Sequence, residues 1–212
     1  MSQQSVLLEI YRRLDECYGP QHWWPADSPF EIMVGAILTQ NTAWTNVEKA
    51  INNLKDAKVL NVHALIELSE ENLAKLIRPS GYFNVKSKRL KHFVGWFETE
   101  GRFNGLKKLN NEMLRKRLLD VNGIGPETAD DILLYAFERP VFVIDTYTRR
   151  LFKTLDLIDG TESYETLRQF FESSLVSDVG LFKAYHALIV RHAKEKCTHE
   201  SSCLHCKVES PL

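Results

Sequence analysis

The sequence predicts an all-α protein, and three observations support this fold class. Apolar residues recur at helical spacing in almost every segment, as in residues 47–54. No segment alternates apolar and polar residues in the way that half-buried strands do. Helix-start signals precede the apolar patterns, and the clearest is the capping box of Ser28 and Glu31, with Pro29 at the first helical position.

The expected helices follow one another along the whole chain and number about ten. After an N-terminal helix, the apolar stripes begin in chain order near Pro29, Val47, Leu73, Leu90, Leu114, Ala129, Leu151, Leu167 and Phe182. The stripe at Leu73 must stop near residues 78–81, because the residue before Pro79 is biased away from helical backbone. The apolar run 141–145 has no partner strand, so we expect an extended buried connection whose Asp145 caps the next helix.

The helices divide most simply into two lobes, without an internal repeat or a low-complexity linker. One lobe covers residues 26–135. The other combines residues 1–25 with residues 136–212. A groove between the two lobes would have Glu127 and Asp145 on its walls.

The composition excludes several classes of protein. The 27 lysines and arginines balance 28 aspartates and glutamates, so no overall positive charge indicates a nucleic-acid partner. No apolar run is long enough for a membrane helix, and the N-terminus lacks the features of an export signal. We therefore expect a cytoplasmic monomer, in a bacterial or archaeal cytosol or nucleoid, whose four cysteines are reduced or bound to metal.

Local charge is less even than the total charge. Residues 78–91 contain five basic residues and no acidic one, and residues 102–126 contain six basic residues against two acidic ones. Such stretches are typical either of a solvated helix face or of a surface that contacts phosphates. The candidate phosphate contacts are Lys86, Lys88, Arg89, Arg149 and Arg150.

A glycine turn, Gly123–Gly125, separates two helical patterns within residues 112–137. Glycine permits positive φ and close approach by a ligand, and the free N–H groups of a helix that begins at Pro126 favour an anion. Ile124 should anchor the turn in the core. The turn is therefore either an ordinary corner between helices or a backbone site for a DNA phosphate, formed by Gly123, Ile124 and Gly125.

Several segments together resemble the endonuclease III (helix-hairpin-helix) superfamily of DNA glycosylases. They are LLDVNGIGPETADDILLYA followed by VFVIDTYTRRL, with PFEIMVGAILTQNTAW, IRPSGYFNVKSKRL and RHAKEKC, and they span roughly residues 25 to 206. The resemblance implies a bilobal helical fold with the active site in the groove between the lobes. It also implies a double-stranded DNA partner, excision of damaged bases, and Asp145 as the carboxylate that active members require.

Asp145 and Glu127 are the two candidate catalytic residues. Asp145 would stabilise an oxocarbenium-like sugar and orient or deprotonate water, besides capping a helix. In members of the superfamily that cut the strand, a lysine at the position of Glu127 forms a Schiff base, which a carboxylate cannot do. The resemblance thus implies a monofunctional glycosylase. Glu127 either offsets the helix dipole or faces a cationic leaving base.

Three tryptophans, Trp23, Trp24 and Trp44, are candidates for a pocket that holds an extruded base, or else are ordinary core residues. A tryptophan face attracts cations, and purines alkylated at ring nitrogens are cationic. This pattern is similar to the 3-methyladenine glycosylases of the endonuclease III type. The resemblance also implies that Gln40 fills the space left by the base. Asn41 either contacts the opposite strand or caps the next helix.

The C-terminal tail carries three closely spaced cysteines, Cys197, Cys203 and Cys206. Members of the superfamily hold a 4Fe-4S cluster here with four cysteines, and the fourth would stand at Leu212. The alternatives are an iron-sulfur cluster, a zinc site or no metal. Either metal site would need a further ligand, for which the candidates are Cys17, His199 and His205.

The sequence thus predicts a monofunctional base-excision-repair glycosylase that hydrolyses the glycosidic bond of a flipped alkylated purine such as 3-methyladenine. Three alternatives stay open. They are a glycosylase for oxidised or deaminated pyrimidines, a bifunctional glycosylase and lyase that uses another lysine, and a non-catalytic DNA-binding module.

Overall fold

The computed structural model describes residues 3–21 and 23–195, and all regular structure in this part of the chain is helical. This confirms the all-α prediction. The α-helices, in order, are α1 (Gln3–Tyr18), α2 (Pro29–Leu38), α3 (Trp44–Asp56), α4 (Val62–Glu67), α5 (Glu70–Leu76), α6 (Phe83–Thr99), α7 (Arg102–Leu106), α8 (Asn111–Leu119), α9 (Pro126–Asp131), α10 (Thr146–Thr154), α11 (Tyr164–Ser174) and α12 (Val179–Glu195). A 3₁₀ turn (Arg78–Ser80) precedes α6, and a π-helix (Ile132–Ala136) continues α9.

Contacts between helices divide the chain into two compact units. The inserted unit is Ala26–Phe137, and the terminal unit combines Met1–Pro25 with Glu138–Leu212. No helix among the described residues is both long and apolar enough to cross a membrane.

The inserted unit is built around α2. This helix is buried from Met33 to Leu38 and packs against α3, α6, α9 and the π-helix. A helix that is apolar on all sides is expected at the centre of a helical unit rather than on its surface. Ser28 caps α2 by accepting a hydrogen bond from the Glu31 N–H (3.2 Å), while Glu31 reaches back to the Asp27 N–H (3.1 Å).

The terminal unit has an aromatic core. Phe142 stacks on Phe171 with ring centroids 4.2 Å apart, and Tyr185 meets Phe142 edge to face at 5.7 Å. The Tyr185 hydroxyl donates to the carbonyl of Leu7 (2.9 Å), which ties α12 to α1. Such aromatic pairs contribute about 0.5–1.5 kcal/mol each beyond the area that they bury.

The segment Val141–Ile144 is extended and buried, as the sequence predicted, and side chains take the place of a partner strand. The Phe142 N–H donates to a Glu172 carboxylate oxygen (2.9 Å), and the Ile144 N–H donates to the Tyr164 hydroxyl (3.3 Å). Buried backbone groups must find such partners, so a lone extended segment is stable here without a sheet.

Candidate active site and DNA-contact surface

Asp145 is held rigidly at the start of α10. Its Oδ1 accepts a hydrogen bond from the Thr148 N–H (2.7 Å), which confirms the predicted helix cap. Its Oδ2 lies 3.4 Å from His186 Nε2, and 12% of the Asp145 side chain remains exposed. The structure therefore preorganises one carboxylate in a largely buried setting.

Two opposing influences act on the pKa of Asp145. Burial acts to raise this pKa, while the His186 imidazole and the hydrogen bond from the Thr148 N–H lower it. The lowering prevails, so the pKa lies below its ordinary value and the carboxylate is ionised at neutral pH. An anion maintained in a buried place is suited to stabilising positive charge that develops nearby.

His186 was not singled out from the sequence. It lies on α12 within the apolar run 185–190 and is buried with Asp145. The available signal was its position: a histidine on an apolar helix face must find a polar partner inside the protein. The sequence could not show that this partner is Asp145, which is 41 residues away along the chain.

Glu127 lies exposed in the first turn of α9. This position suits a carboxylate that offsets the helix dipole, and its predicted part in catalysis stays a prediction.

One face of α10 is strongly basic. An open cavity of about 730 Å³ lies along it. The cavity is lined by Thr146, Arg149, Arg150, Lys153, Thr154, Asp156 and Gly160. Lys153 was not predicted as a site residue, because the pattern of charges drew attention only to the adjacent pair of arginines.

Backbone carbonyls orient two of the three cations of this face. Arg149 donates to the Glu162 carbonyl (2.8 Å) and Arg150 to the Ala193 carbonyl (3.0 Å). These bonds orient the guanidinium groups without neutralising them. Within residues 3–21 and 23–195, neither arginine nor Lys153 forms a salt bridge with a carboxylate.

The two glycines of the hairpin between α8 and α9 differ in what they require. Gly123 has φ +92°, and a Cβ there would meet Arg89 Cγ at 2.3 Å. Gly125 has φ −92° and ψ 176°, which any residue adopts, and a Cβ there would meet nothing within 4 Å. Ile124 is buried and anchors the turn, as predicted.

Gln40 is bound to the hairpin. Its Nε2 donates to the Gly123 carbonyl (3.0 Å) and to Thr128 Oγ1 (2.9 Å), and its Oε1 accepts a hydrogen bond from Arg89. The predicted role of Gln40 in filling the space left by a base stays a prediction. Arg89, predicted as a phosphate contact, packs its stem against Gly123 and supports the turn.

Asn41 is exposed and has φ +53°, a left-handed backbone that asparagine tolerates better than most residues. The first alternative for Asn41, contact with the opposite strand, stays a prediction. The second was wrong, because Ala43 and not Asn41 is the cap residue of α3.

Lys86 corrects a prediction, because it is a structural residue rather than a phosphate contact. It is 1% exposed, and its Nζ donates to the carbonyls of Leu38 (2.8 Å) and Ser80 (2.6 Å). The ammonium thereby joins the end of α2 to the 3₁₀ turn. Burial, assisted by the charge of Arg89, lowers the pKa of Lys86 to about 8. Lys88 is exposed and remains a candidate for phosphate contact.

The three candidate tryptophans are all half-buried. Trp23 has the Lys194 ammonium 5.1 Å from its ring centroid, so one cation already occupies a face of this ring. Trp24 has φ +64°, a strained backbone for a bulky residue and one that is frequent at functional sites. Trp44 begins α3, and its Nε1 donates to Glu48 (2.9 Å). Trp23 and Trp24 belong to the terminal unit and Trp44 to the inserted unit.

Tyr82 is a surface residue that the sequence reasoning passed over. It is 71% exposed, has φ +46° and is the cap residue of α6. An exposed aromatic ring in a basic stretch is suited to stacking on a base. The signal was present in the sequence as an aromatic residue directly after Gly81.

The cysteines of the predicted metal site, Cys197, Cys203 and Cys206, lie outside the described residues. Within the described part of the chain, no cluster of His, Cys, Asp or Glu side chains could hold a metal ion. Cys17, a possible further ligand, is an exposed thiol on α1.

We predict that Lys86→Met changes how stability depends on pH. Between about pH 8 and 10.5 the folded wild type has released a proton from Lys86 that the unfolded chain still holds. Unfolding therefore takes up a proton, and the free energy of unfolding of the wild type should rise with pH relative to the variant, by up to about 1.4 kcal/mol per pH unit. Denaturant unfolding across this range measures the difference.

Lys88→Met is the matched control for Lys86→Met, since Lys88 is exposed on the same helix. It should follow the wild-type dependence of stability on pH while lowering DNA affinity. A Lys86→Met variant with the wild-type pH dependence would contradict the structural role.

We predict that alanine at the two hairpin glycines has different effects, on stability at one and on DNA binding at the other. Gly123→Ala should lower stability by about 1–3 kcal/mol, because the backbone is left-handed and Arg89 must move. Gly125→Ala should change stability by less than about 1 kcal/mol yet weaken DNA binding, because its methyl group would stand where a phosphate approaches the backbone. Thermal unfolding and DNA titration measure the two effects. Wild-type affinity in Gly125→Ala would argue against a phosphate at this turn.

Comparison with known proteins agrees with this geometry. Residues 34–176 match the family model described as HhH-GPD superfamily base excision DNA repair protein. The chain is 44% identical over 208 residues to a protein of Methanocaldococcus jannaschii provisionally named DNA repair glycosylase MJ1434, covering 97% of this chain and 94% of that protein.

Solved structures extend the comparison. A crystal structure of H. pylori 3-methyladenine DNA glycosylase (MagIII) bound to 1,N6-ethenoadenine has a TM-score of 0.78 and 32% identity, and covers 92% of this chain and 99% of that one. A non-covalent endonuclease III–DNA complex shares the fold, with a TM-score of 0.81 at 18% identity over 98% of this chain and 94% of that one. The chain therefore belongs to the HhH-GPD superfamily of base excision DNA repair proteins.

Proposed function

We propose that this DNA glycosylase is monofunctional and releases an alkylated purine, of the 3-methyladenine class, from double-stranded DNA. The observation that carries the proposal is the ionised, largely buried carboxylate of Asp145, fixed at Oδ1 by the start of α10. Family membership supports action on a glycosidic bond. We infer that the enzyme acts on chromosomal DNA as a monomer, in the cytosol or nucleoid.

In the proposed reaction the bond between the sugar carbon and the base nitrogen breaks, and its electron pair leaves with the base. The sugar gains positive charge, which the Asp145 carboxylate stabilises. A water oxygen then bonds to the sugar carbon, and one of its protons passes to the carboxylate. A carboxylate stands at position 127 instead of an amine, which supports water as the acceptor of the sugar.

The choice of an alkylated purine rests on two supports. One is the similarity to a glycosylase named for 3-methyladenine, at 32% identity. The other is the set of half-buried tryptophans, whose faces attract a cationic base. Because Lys194 stands against Trp23, we assign the gripping of the base to Trp24 before Trp23, its neighbour in the terminal unit.

DNA binding is proposed through three surfaces. Gly125 offers open backbone at the start of α9, where a phosphate can approach. The cations Arg149, Arg150 and Lys153 line the face of α10. Tyr82 offers an exposed ring for stacking. Contacts to phosphates place an enzyme on DNA without reading its sequence, as a repair enzyme requires.

The predicted iron-sulfur cluster remains one alternative for the cysteine tail. The sequence supplies three cysteines at the superfamily's spacing and Leu212 in place of the fourth, so the donor set is one ligand short. No step proposed above passes through a metal. Metal analysis of the purified full chain distinguishes a cluster from zinc and from an empty tail.

We predict that Asp145→Asn lowers base release by about a hundredfold or more, because the neutral amide cannot stabilise the charged sugar. Asparagine is also a good helix cap, so the variant should stay folded. The measurement is base release from duplexes that contain 3-methyladenine, 1,N6-ethenoadenine, uracil or thymine glycol, corrected for spontaneous loss. Preferred release of uracil or thymine glycol would favour the pyrimidine alternative.

Borohydride trapping shows whether water or an amine of the enzyme bonds to the sugar when the base leaves. The wild type should release the base without forming a covalent DNA adduct, while a known lyase serves as the positive control. A trapped adduct would establish the bifunctional alternative. If the wild type binds DNA but releases no base from any of the tested duplexes, the non-catalytic alternative would be favoured.

We predict that Arg149→Gln and Lys153→Gln each weaken DNA binding and lower the slope of log affinity against log salt by about 1, because each removes one phosphate contact. The binding measurement uses the Asp145→Asn background and abasic duplex. The control is Arg12→Gln, since Arg12 is already paired with Glu9 (2.7 Å) in the same unit. An unchanged slope in both test variants would remove the α10 face from the DNA-binding surface.

A further inference from the structure

We propose that His186 is a positioning residue for the reaction, which keeps the Asp145 carboxylate charged and correctly oriented from the side opposite its helix cap. The inference rests on the proposed function, because it assigns His186 a role only if Asp145 acts on the sugar. In this proposal His186 contacts Asp145 and does not contact the substrate.

Two helices hold the carboxylate, and each restrains a different oxygen. The Thr148 N–H of α10 donates to Oδ1 (2.7 Å), and His186 Nε2 of α12 faces Oδ2 at 3.4 Å. The second separation is within ion-pair distance and longer than a well-formed hydrogen bond, so it acts mainly through charge and dipole. With both oxygens restrained, the carboxyl plane cannot rotate freely about its bond to the helix.

The position of His186 is itself fixed. The preceding residue, Tyr185, donates its hydroxyl to the Leu7 carbonyl of α1 (2.9 Å). Further along α12, the Ala193 carbonyl accepts from Arg150 of α10 (3.0 Å). Contacts with α1 and α10 therefore hold α12 on both sides of His186, and the imidazole itself is buried.

Burial creates the need for such a partner. A carboxylate removed from water tends to bind a proton, and a protonated Asp145 could neither stabilise a cationic sugar nor accept a proton from water. His186 is the titratable side chain with the largest effect on Asp145. Other ionisable groups on the elements packed against α12 include Tyr11 of α1, which meets Tyr185, Tyr18 of α1, which bonds to His192, and Arg150 of α10.

The chemical consequence concerns the acid side of the pH profile. Base release requires the ionised form of Asp145, so the rate should fall as the pH drops through the pKa of this group. Burial raises the pKa of Asp145 and His186 lowers it, so removal of His186 should raise that pKa. The rate loss is then largest at low pH and is recovered as the pH rises, whereas general damage to the fold lowers the rate at every pH.

The test compares single-turnover base release by the wild type, His186→Leu and His186→Gln as a function of pH, with spontaneous base loss subtracted. We expect the acid limb of the rate profile of His186→Leu to move to higher pH by about one unit or more. At pH values on this limb, the rate of base release would then be about tenfold lower than that of the wild type. His186→Gln keeps an N–H donor near the Nε2 position, so its limb should move less. Affinity for abasic DNA should stay within about threefold of the wild type, because His186 contacts no DNA in the proposal.

His192→Leu is the matched control. His192 is also a buried histidine of α12, but its Nδ1 bonds to the Tyr18 hydroxyl (2.9 Å) and not to Asp145. Its loss should leave the acid limb in place even where it lowers stability. If His186→Leu does not fold, as judged by thermal unfolding, His186→Gln carries the test against the same control.

The outcomes separate the two proposals. No base release by the wild type, or equal release by Asp145→Asn, would end the proposed function. An active wild type and an inactive Asp145→Asn, together with a wild-type acid limb or a uniform loss at all pH values in both His186 variants, would overturn the role of His186 alone.

Discussion

The structure of the candidate site depends on keeping one carboxylate charged where water is scarce. Burial by itself acts against ionisation of Asp145, and His186 together with the hydrogen bond from the Thr148 N–H of α10 reverses that tendency. Asp145 directly follows the buried segment Val141–Ile144. This segment is stable because Glu172 and Tyr164 accept hydrogen bonds from its N–H groups. The hydrogen bond from the Thr148 N–H to Asp145 Oδ1 thus both caps α10 and orients the candidate catalytic carboxylate.

The two glycines of the hairpin between α8 and α9 have different structural roles. Gly123 is required by the protein itself, since a side chain there would meet Arg89. Gly125 has no steric reason of this kind, because its backbone is ordinary and the space around it is open, although it is the cap residue of α9. Its open backbone at the start of a helix is accessible to a ligand from outside the chain. Gln40 and Arg89 hold the turn in place, so the inserted unit presents the backbone of Gly125 on a rigid support.

The positive charges of the chain divide into structural and available groups. Lys86 binds two carbonyls inside the inserted unit, although Lys88 on the same helix is exposed. Arg149 and Arg150 also bind carbonyls, but they retain their charge beside an open cavity. Burial, rather than the number of cations in a stretch, decides which of them can meet a phosphate.

The sequence by itself determined the helical class, the cap at Asp145 and the anchoring Ile124, because periodicity and capping are local properties of the chain. It also indicated the family, through the resemblance of several segments to known members. It could not separate Lys86 from Lys88, exclude Asn41 as a helix cap, or find His186. Those outcomes depend on which side chains meet across long sequence separations, and packing alone settles them. Tertiary structure decided that a histidine of α12 faces the carboxylate of α10, because only the packed helices bring those two groups together.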